Sequence, residues 1–261
     1  MTLPLVSRRA AFRLAALLTA GCGAPLNSSL HGEEEGAQSS GFALIELFTS
    51  QGCNSCPSAD QNLARVNQLA RERKLPIYTL SLHVDYWNYL GWEDPFSNAA
   101  YSQRQRRYAQ AFGANQVYTP QMIVNGRVEF VGSNVANTDR AIRAGLDSQT
   151  TTKLTVEVTR QQDAAIVRWN VTNLTKRDQL QLALVQKQAA RDVTAGENDG
   201  RTLSHVNVVR KLQTIATPAG QGQHQLSLPV NAKSADYHVI AFVQSSENQK
   251  IATATQAELV G

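Results

Sequence analysis

The sequence predicts an α/β domain ordered strand-helix-strand, insert, strand-strand-helix, followed by an all-β, sandwich-like domain. Three observations predict it. Apolar runs of strand length alternate with helical spacings between residues 42 and 148. The dipeptide Asn125-Gly126, a strong hairpin signal, separates two short apolar runs. From Lys153 onward, apolar residues recur at every second position, the period of half-buried strands.

The elements follow in chain order. Residues 1–22 carry Arg8, Arg9 and Arg13, a short apolar stretch from Ala10 to Ala20, and small residues around Gly21. This is the pattern of an export signal, not of a spanning helix. Leu18-Thr19-Ala20-Gly21-Cys22 resembles a bacterial lipoprotein box, which implies lipidation at Cys22 and a membrane tether. Residues 23–41 are polar and rich in Gly, Ser and Glu, as a flexible linker is. Phe42 to Phe48 reads as a buried strand, and Ala59, Leu63, Val66 and Leu69/Ala70 mark the next helix. Pro57 is tolerated only in a first helical turn, so the helix begins close to Cys53. Pro76 ends it, and Ile77 to His83 forms a second strand, parallel to the first through a right-handed crossover. After an insert with a helix from Ser97 to Phe112, Gln121–Val124 and Arg127–Val131 form the hairpin. Ala136, Ala141, Ile142 and Leu146 place one more helix before the domain ends at 148. Residues 152–261 then read as an antiparallel sandwich of about seven strands, a packing or recognition module.

Charge argues against a nucleic-acid partner. The net charge is +4, and removing the three leader arginines leaves +1. The cluster Arg104, Arg106, Arg107 reads as the solvated face of a helix. Of three cysteines, Cys22 belongs to the leader, so an even pair remains in a chain bound for an oxidising compartment, the periplasm.

Chemistry concentrates at Cys53-Asn54-Ser55-Cys56. A helix N-terminus stabilises a thiolate, so Cys53 would be the nucleophile and Cys56 the resolving thiol. An inert disulfide over so short a loop would be a weak staple. His83 leaves the C-terminal end of the neighbouring strand, where open α/β sheets gather their sites. It serves as proton shuttle or thiolate partner with Asp85 as orienting group, or as a third ligand with Cys53 and Cys56 for copper. The aromatic stretch Tyr86, Trp87, Tyr89, Trp92, Phe96 reads as a substrate-docking wall or a plug over the core, with Tyr118 added to the wall. Ser204-His205 with Asp192 lacks a nucleophile-elbow context and reads as surface and turn residues.

The element order and motifs over residues 42–148 resemble the thioredoxin fold. That resemblance implies a cis proline at Pro120, preceded by Thr119, facing the cysteines. The segments "FTSQGCNSCPSAD", "HVDYWNYLGWEDPF" and "VYTPQMIVNG" more specifically resemble a family of exported bacterial proteins, domain of unknown function 1223. The resulting expectation is an exported thiol-disulfide oxidoreductase without cofactor, acting on protein or small thiol and disulfide substrates. Its catalytic set is Cys53, Cys56, Thr119, Pro120 and His83. The alternatives are a copper-transfer protein using Cys53, Cys56 and His83, or a non-catalytic envelope interaction protein.

Overall fold

The computed structural model describes residues 41–216 and 218–261. The leader, Cys22 and almost all of the linker lie outside the described residues. The strands are β1 (Ala43–Thr49), β2 (Ile77–His83), β3 (Gln121–Val124), β4 (Val128–Val131), β5 (Lys153–Gln161) and β6 (Ala164–Thr172). They continue with β7 (Asp178–Asp192), β8 (Thr202–Ala216), β9 (Gln221–Ser227), β10 (Tyr237–Ser245) and β11 (Ile251–Glu258). The α-helices are α1 (Cys56–Arg73), α2 (Ala99–Phe112) and α3 (Val135–Leu146).

Local chemistry accounts for the element ends. Pro57 sits in the first turn of α1, where its missing N–H costs nothing, and Lys74 closes the helix in the left-handed region at φ 50°. Asn98 and Asn134 cap α2 and α3, each accepting a backbone N–H through its side chain. Asn125 and Gly126 both have positive φ, as a tight hairpin requires. Gly126 has a second reason to lack a side chain: a Cβ there would lie 2.0 Å from the carbonyl oxygen of Gln249.

The strands make two sheets. The large one has eight strands in the order β11-β10-β7-β8-β2-β1-β3-β4, and the small one has three, β5-β6-β9. β1 runs parallel to β2 and antiparallel to β3. The expected break between a domain ending at 148 and a separate sandwich is not where the hydrogen bonds divide. β8 runs parallel beside β2, with Ser81 opposite Val208, and carries β7, β10 and β11 into the same sheet as β1. Of the seven strands in the second half, four therefore extend the first half's sheet. The other three, β5, β6 and β9, pack across β7 and β10 through Leu154, Val167, Leu226, Leu182 and Val239.

One apolar cluster spans this join. Leu44, Phe48, Leu80 and Leu82 pack with Val185, Val209, Ile240 and Phe242, under Tyr101 and Tyr108 of α2. The opposite face of β1 and β2 is covered by Ala59, Leu63 and Val66 of α1 and Ile142 of α3.

Inside the α2 face, Arg104 is 1% exposed, so it is not part of the solvated stripe expected from the arginine cluster; Arg106 and Arg107 are exposed. Its Nε donates to Glu46 Oε1 at 2.6 Å and its Nη2 to Glu46 Oε2 at 3.0 Å. Nη1 donates to Gln244 Oε1 at 2.9 Å, and the Tyr108 hydroxyl donates to Glu46. One guanidinium thus ties α2, β1 and β10 together. The fork geometry satisfies both charges, which makes their burial tolerable. Arg104→Met should cost about 3–5 kcal/mol in chemical denaturation because it strands a buried carboxylate. Adding Glu46→Leu should return most of that loss, and a double variant as unstable as the single would contradict this reading.

Candidate functional site

β1 ends at Thr49, and the chain turns through Ser50-Gln51-Gly52 into the cysteine pair. Cys53 N–H donates to the Ser50 carbonyl at 3.3 Å and Cys56 N–H to the Cys53 carbonyl at 3.2 Å, winding the chain into α1. Cys53 and Cys56 form a disulfide with Cα atoms 5.5 Å apart. Both are buried, Cys53 being 1% exposed.

The Thr119–Pro120 peptide bond is cis. It stands at the start of β3, whose antiparallel course beside β1 returns it to the cysteine edge. Thr119 Oγ1 lies 3.5 Å from Cys53 Sγ and accepts the indole N–H of Trp87 at 2.7 Å. Ser55 Oγ is 3.3 Å from the same sulfur. Gly52 passes so close to Trp87 that a Cβ would lie 3.2 Å from the Trp87 Cβ.

The aromatic residues divide by role. Trp87 reaches the cysteine site through Thr119, and Trp92 reaches it through Gln51, its N–H donating to Gln51 Oε1 at 3.0 Å. Tyr86 is tied to α2 by its hydroxyl on Gln105 at 3.0 Å, and burial pushes that phenol up to about 12. Tyr118 donates to Glu129 of β4, and its carbonyl accepts from Gln105 at 2.7 Å, so it braces the hairpin. Phe96 is buried against His83, as a plug would be.

His83 is fully buried, and its Nδ1 lies 2.7 Å from Asp94 Oδ2. Asp94 thus occupies the orienting place that the sequence reading gave to Asp85, whose carboxylate accepts from Ser102 Oγ at 2.5 Å. Asp94 Oδ2 also accepts the Gln51 N–H at 2.9 Å, joining the histidine to the cysteine turn. Burial opposes a charge on His83, but the charge and hydrogen bond of Asp94, with the charge of Asp60, outweigh it and raise the imidazole above its ordinary value. Asp94 is likewise held below its usual range, because His83 and two backbone N–H groups outweigh its burial. Among the described residues, no group of three His, Cys, Asp or Glu side chains is arranged to hold a metal ion.

The second half of the chain enters the site, which the sequence reading did not expect. The loop between β7 and β8 places buried Asn198 beside the cysteine turn, where its Nδ2 donates to the carbonyls of Gln51 and Cys53, both at 2.9 Å. Arg201 fixes that orientation by donating to Asn198 Oδ1 at 2.7 Å. Glu197 Oε2 accepts the Asn54 N–H at 2.9 Å. Gly196, at φ +78°, lets the loop lie against Trp92 and Gly52. His205 is buried, not a surface residue: Gln51 Nε2 meets its Nε2 at 3.0 Å, and its ring lies 4.6 Å from that of His83. Ser204 and Asp192 are exposed. Asp60, one helical turn after Cys56, completes the missed set; its Oδ2 accepts from Thr49 Oγ1 at 3.3 Å. The stretch "GENDGRTLSH" held a visible signal, an Asn and a His inside a segment entering a strand, but no local pattern says what they meet.

The His83–Asp94 pair gives a pH signature. The raised histidine contributes stability in full below its unfolded value of about 6.5, and that part fades as pH rises through the folded value. The lowered aspartate contributes above its unfolded value of about 3.9 and is lost as pH falls through its folded value. In a ring-proton NMR titration, His83 should titrate above about 6.5 in the native protein and shift downward in Asp94→Asn. A native midpoint at or below that value would contradict the ion pair.

Among solved structures, the chain is similar to a crystallised protein from Agrobacterium tumefaciens at 29% identity and a TM-score of 0.64, covering 86% of this chain and 97% of that one. A domain of the outer membrane lipoprotein Omp28 from Porphyromonas gingivalis matches at 11% identity over 42% of this chain and 89% of that one, with a TM-score of 0.26 that carries no argument. No curated protein matches. The family described as "Protein of unknown function (DUF1223)" matches residues 44–244, most of the chain, and the chain belongs to that family.

Proposed function

We propose that this chain is an exported thiol-disulfide oxidoreductase on a thioredoxin-like framework, working in the periplasm and tethered through Cys22. The observation that carries the reading is the Cys53–Cys56 disulfide at the start of α1, with Thr119 Oγ1 3.5 Å from Cys53 Sγ beside a cis proline. The leader pattern supports export, and an oxidising compartment suits the disulfide.

In the reduced form, the Cys53 thiolate attacks one sulfur of a substrate disulfide, and the other leaves as a thiolate. Cys56 then attacks Cys53 Sγ, forms the intramolecular bond and expels the second substrate thiolate. The substrate disulfide gains two electrons and the cysteine pair loses two; the reverse sequence oxidises a dithiol. Thr119 and Pro120 line the approach to Cys53. The N-terminus of α1 favours the Cys53 thiolate, and the Glu197 carboxylate on Asn54 N–H opposes it.

The cover over Cys53 sets the order of access. With the residue 1% exposed, a partner must displace its neighbours before reaching the sulfur, and Trp87 holds the Thr119 hydroxyl that lies 3.5 Å from it. The same burial favours a second reading, a structural bond in an envelope interaction protein, and kinetics separate the two. In a Cys56→Ser variant, the pH dependence of Cys53 alkylation should give a midpoint below the free value of about 8.5. A midpoint at or above that value, with no glutathione exchange, would leave the structural reading. Trp87→Phe, which removes the hydrogen bond to Thr119, should speed reduction of the native disulfide by glutathione severalfold. An unchanged rate would show that Trp87 does not gate the sulfur.

A further inference from the structure

β4 is the last strand of the large sheet and pairs only with β3, so its outer backbone edge has no strand beside it. Proteins usually guard such an edge with a proline, a charge or a covering element, because another chain can pair with it. β4 has no proline, and none of its four residues is buried. Its one charge, Glu129, is already held, accepting from the Tyr118 hydroxyl and from Gln121 Nε2. Val128 is 46% exposed and Val131 50%. With Val135 just beyond, they make up half of the large apolar residues exposed among the described residues, a clustering that marks a contact surface.

Beside this edge, α3 and the β3–β4 hairpin enclose a groove of about 680 Å³. Val128 and Phe130 line it from the strand, and Ala141 and Ala144 from the helix. The two alanines lie one turn apart on the same side of α3, and their small side chains leave the groove its depth. Two cations, Arg127 and Arg140, also line it, against the single carboxylate of Glu129. Arg140 donates to the neutral amide of Asn137 at 3.2 Å, and Arg127 makes no ion pair among the described residues. Asp139 of α3 is taken up by Arg65 at 2.7 Å. The groove thus joins an apolar floor and a cationic rim to an unpaired main-chain edge. A small anion answers the floor and the rim; only an extended backbone also answers the edge.

We propose that β4 and α3 form a docking groove for an extended, acidic segment of a partner protein, which adds to the large sheet as a further strand beside β4. Its main-chain groups pair with the β4 edge. Alternate apolar side chains enter the groove against Val128 and Ala144, and carboxylates meet Arg127 and Arg140. The Val131 end of β4 lies beside Pro120, whose carbonyl accepts the Gly132 N–H at 2.9 Å. One end of the docked segment therefore reaches the end of the sheet that holds the cysteines. Docking itself requires no exchange at the disulfide and stands apart from the redox reading.

The experiment titrates the isotope-labelled chain at low salt with two hexapeptides, acetyl-EVEVEV-amide and acetyl-KVKVKV-amide, and follows the backbone amides by NMR. The acidic peptide should bind saturably, shift the amides of Val128–Val131 and slow their hydrogen exchange. It should bind about tenfold more tightly than the basic one, and less tightly as salt is added. Arg140→Glu, a change at an exposed position, should weaken the acidic peptide about tenfold and erase that preference. Equal affinity for the two peptides, shifts confined to other surfaces, or no saturation by either would overturn the proposal. So would a dimer in sedimentation whose β4 amides are protected before any peptide is added, because a second copy would then hold the edge.

Discussion

The pairing of β8 with β2 is the constraint on which the site depends. One parallel register, Ser81 against Val208, sets a strand from the second half beside the strand that ends at His83. It brings His205 against His83 and carries the loop before β8 to the cysteine turn, where Asn198 takes up the carbonyls of Gln51 and Cys53. A turn leading into a helix leaves backbone groups without regular partners, and a buried one must find them elsewhere. Here they come from a residue about 145 positions away. The cysteine loop is therefore shaped by both halves of the chain, and the second half is part of the site's construction.

The same join explains the polar interior. β1 and β2 direct Leu44, Phe48, Leu80 and Leu82 toward α2. The intervening positions, Thr49, Ser81 and His83, fall on the α1 side. At the C-terminal end of the sheet that side is polar, with Asp60 above it and His205 beside it. Deeper in the sheet, Ala43, Ile45 and Leu47 keep it apolar. Stability and chemistry are thus separated along the strands. The Glu46–Arg104 fork is a second buried ionic group on the opposite face, held by Tyr108 and Gln244, and it fastens α2 across the join.

Much of the order of elements was legible because its signals are local. Pro57, Asn125-Gly126 and the period-two stretches each act within a few residues, and helices and hairpin fall where those residues place them. The joining of the halves was not legible, because parallel pairing between strands far apart in sequence leaves no mark in either strand. Alternation in β7 and β10 says that a face is buried, not which sheet buries it. Arg104 was misread for a related reason. A charge on an amphipathic helix reads as solvated unless its partner is known, and Glu46 is 58 positions away. At the site, Cys53, Cys56 and the Thr119-Pro120 pair stood out as motifs. Asp60, Asp94, Asn198 and His205 became visible as a group only through contacts. His83 stood out as well, but its partner is Asp94, eleven positions on, instead of the nearby Asp85.

The most direct measurement is the reduction potential of the Cys53–Cys56 bond, equilibrated in glutathione buffers and read by mass spectrometry of trapped thiols. A working pair comes to equilibrium with the buffer at a potential above about −300 mV, within the range of exchanging disulfides. A bond that stays oxidised throughout, with a potential below about −300 mV, would be a structural staple and would contradict the redox assignment.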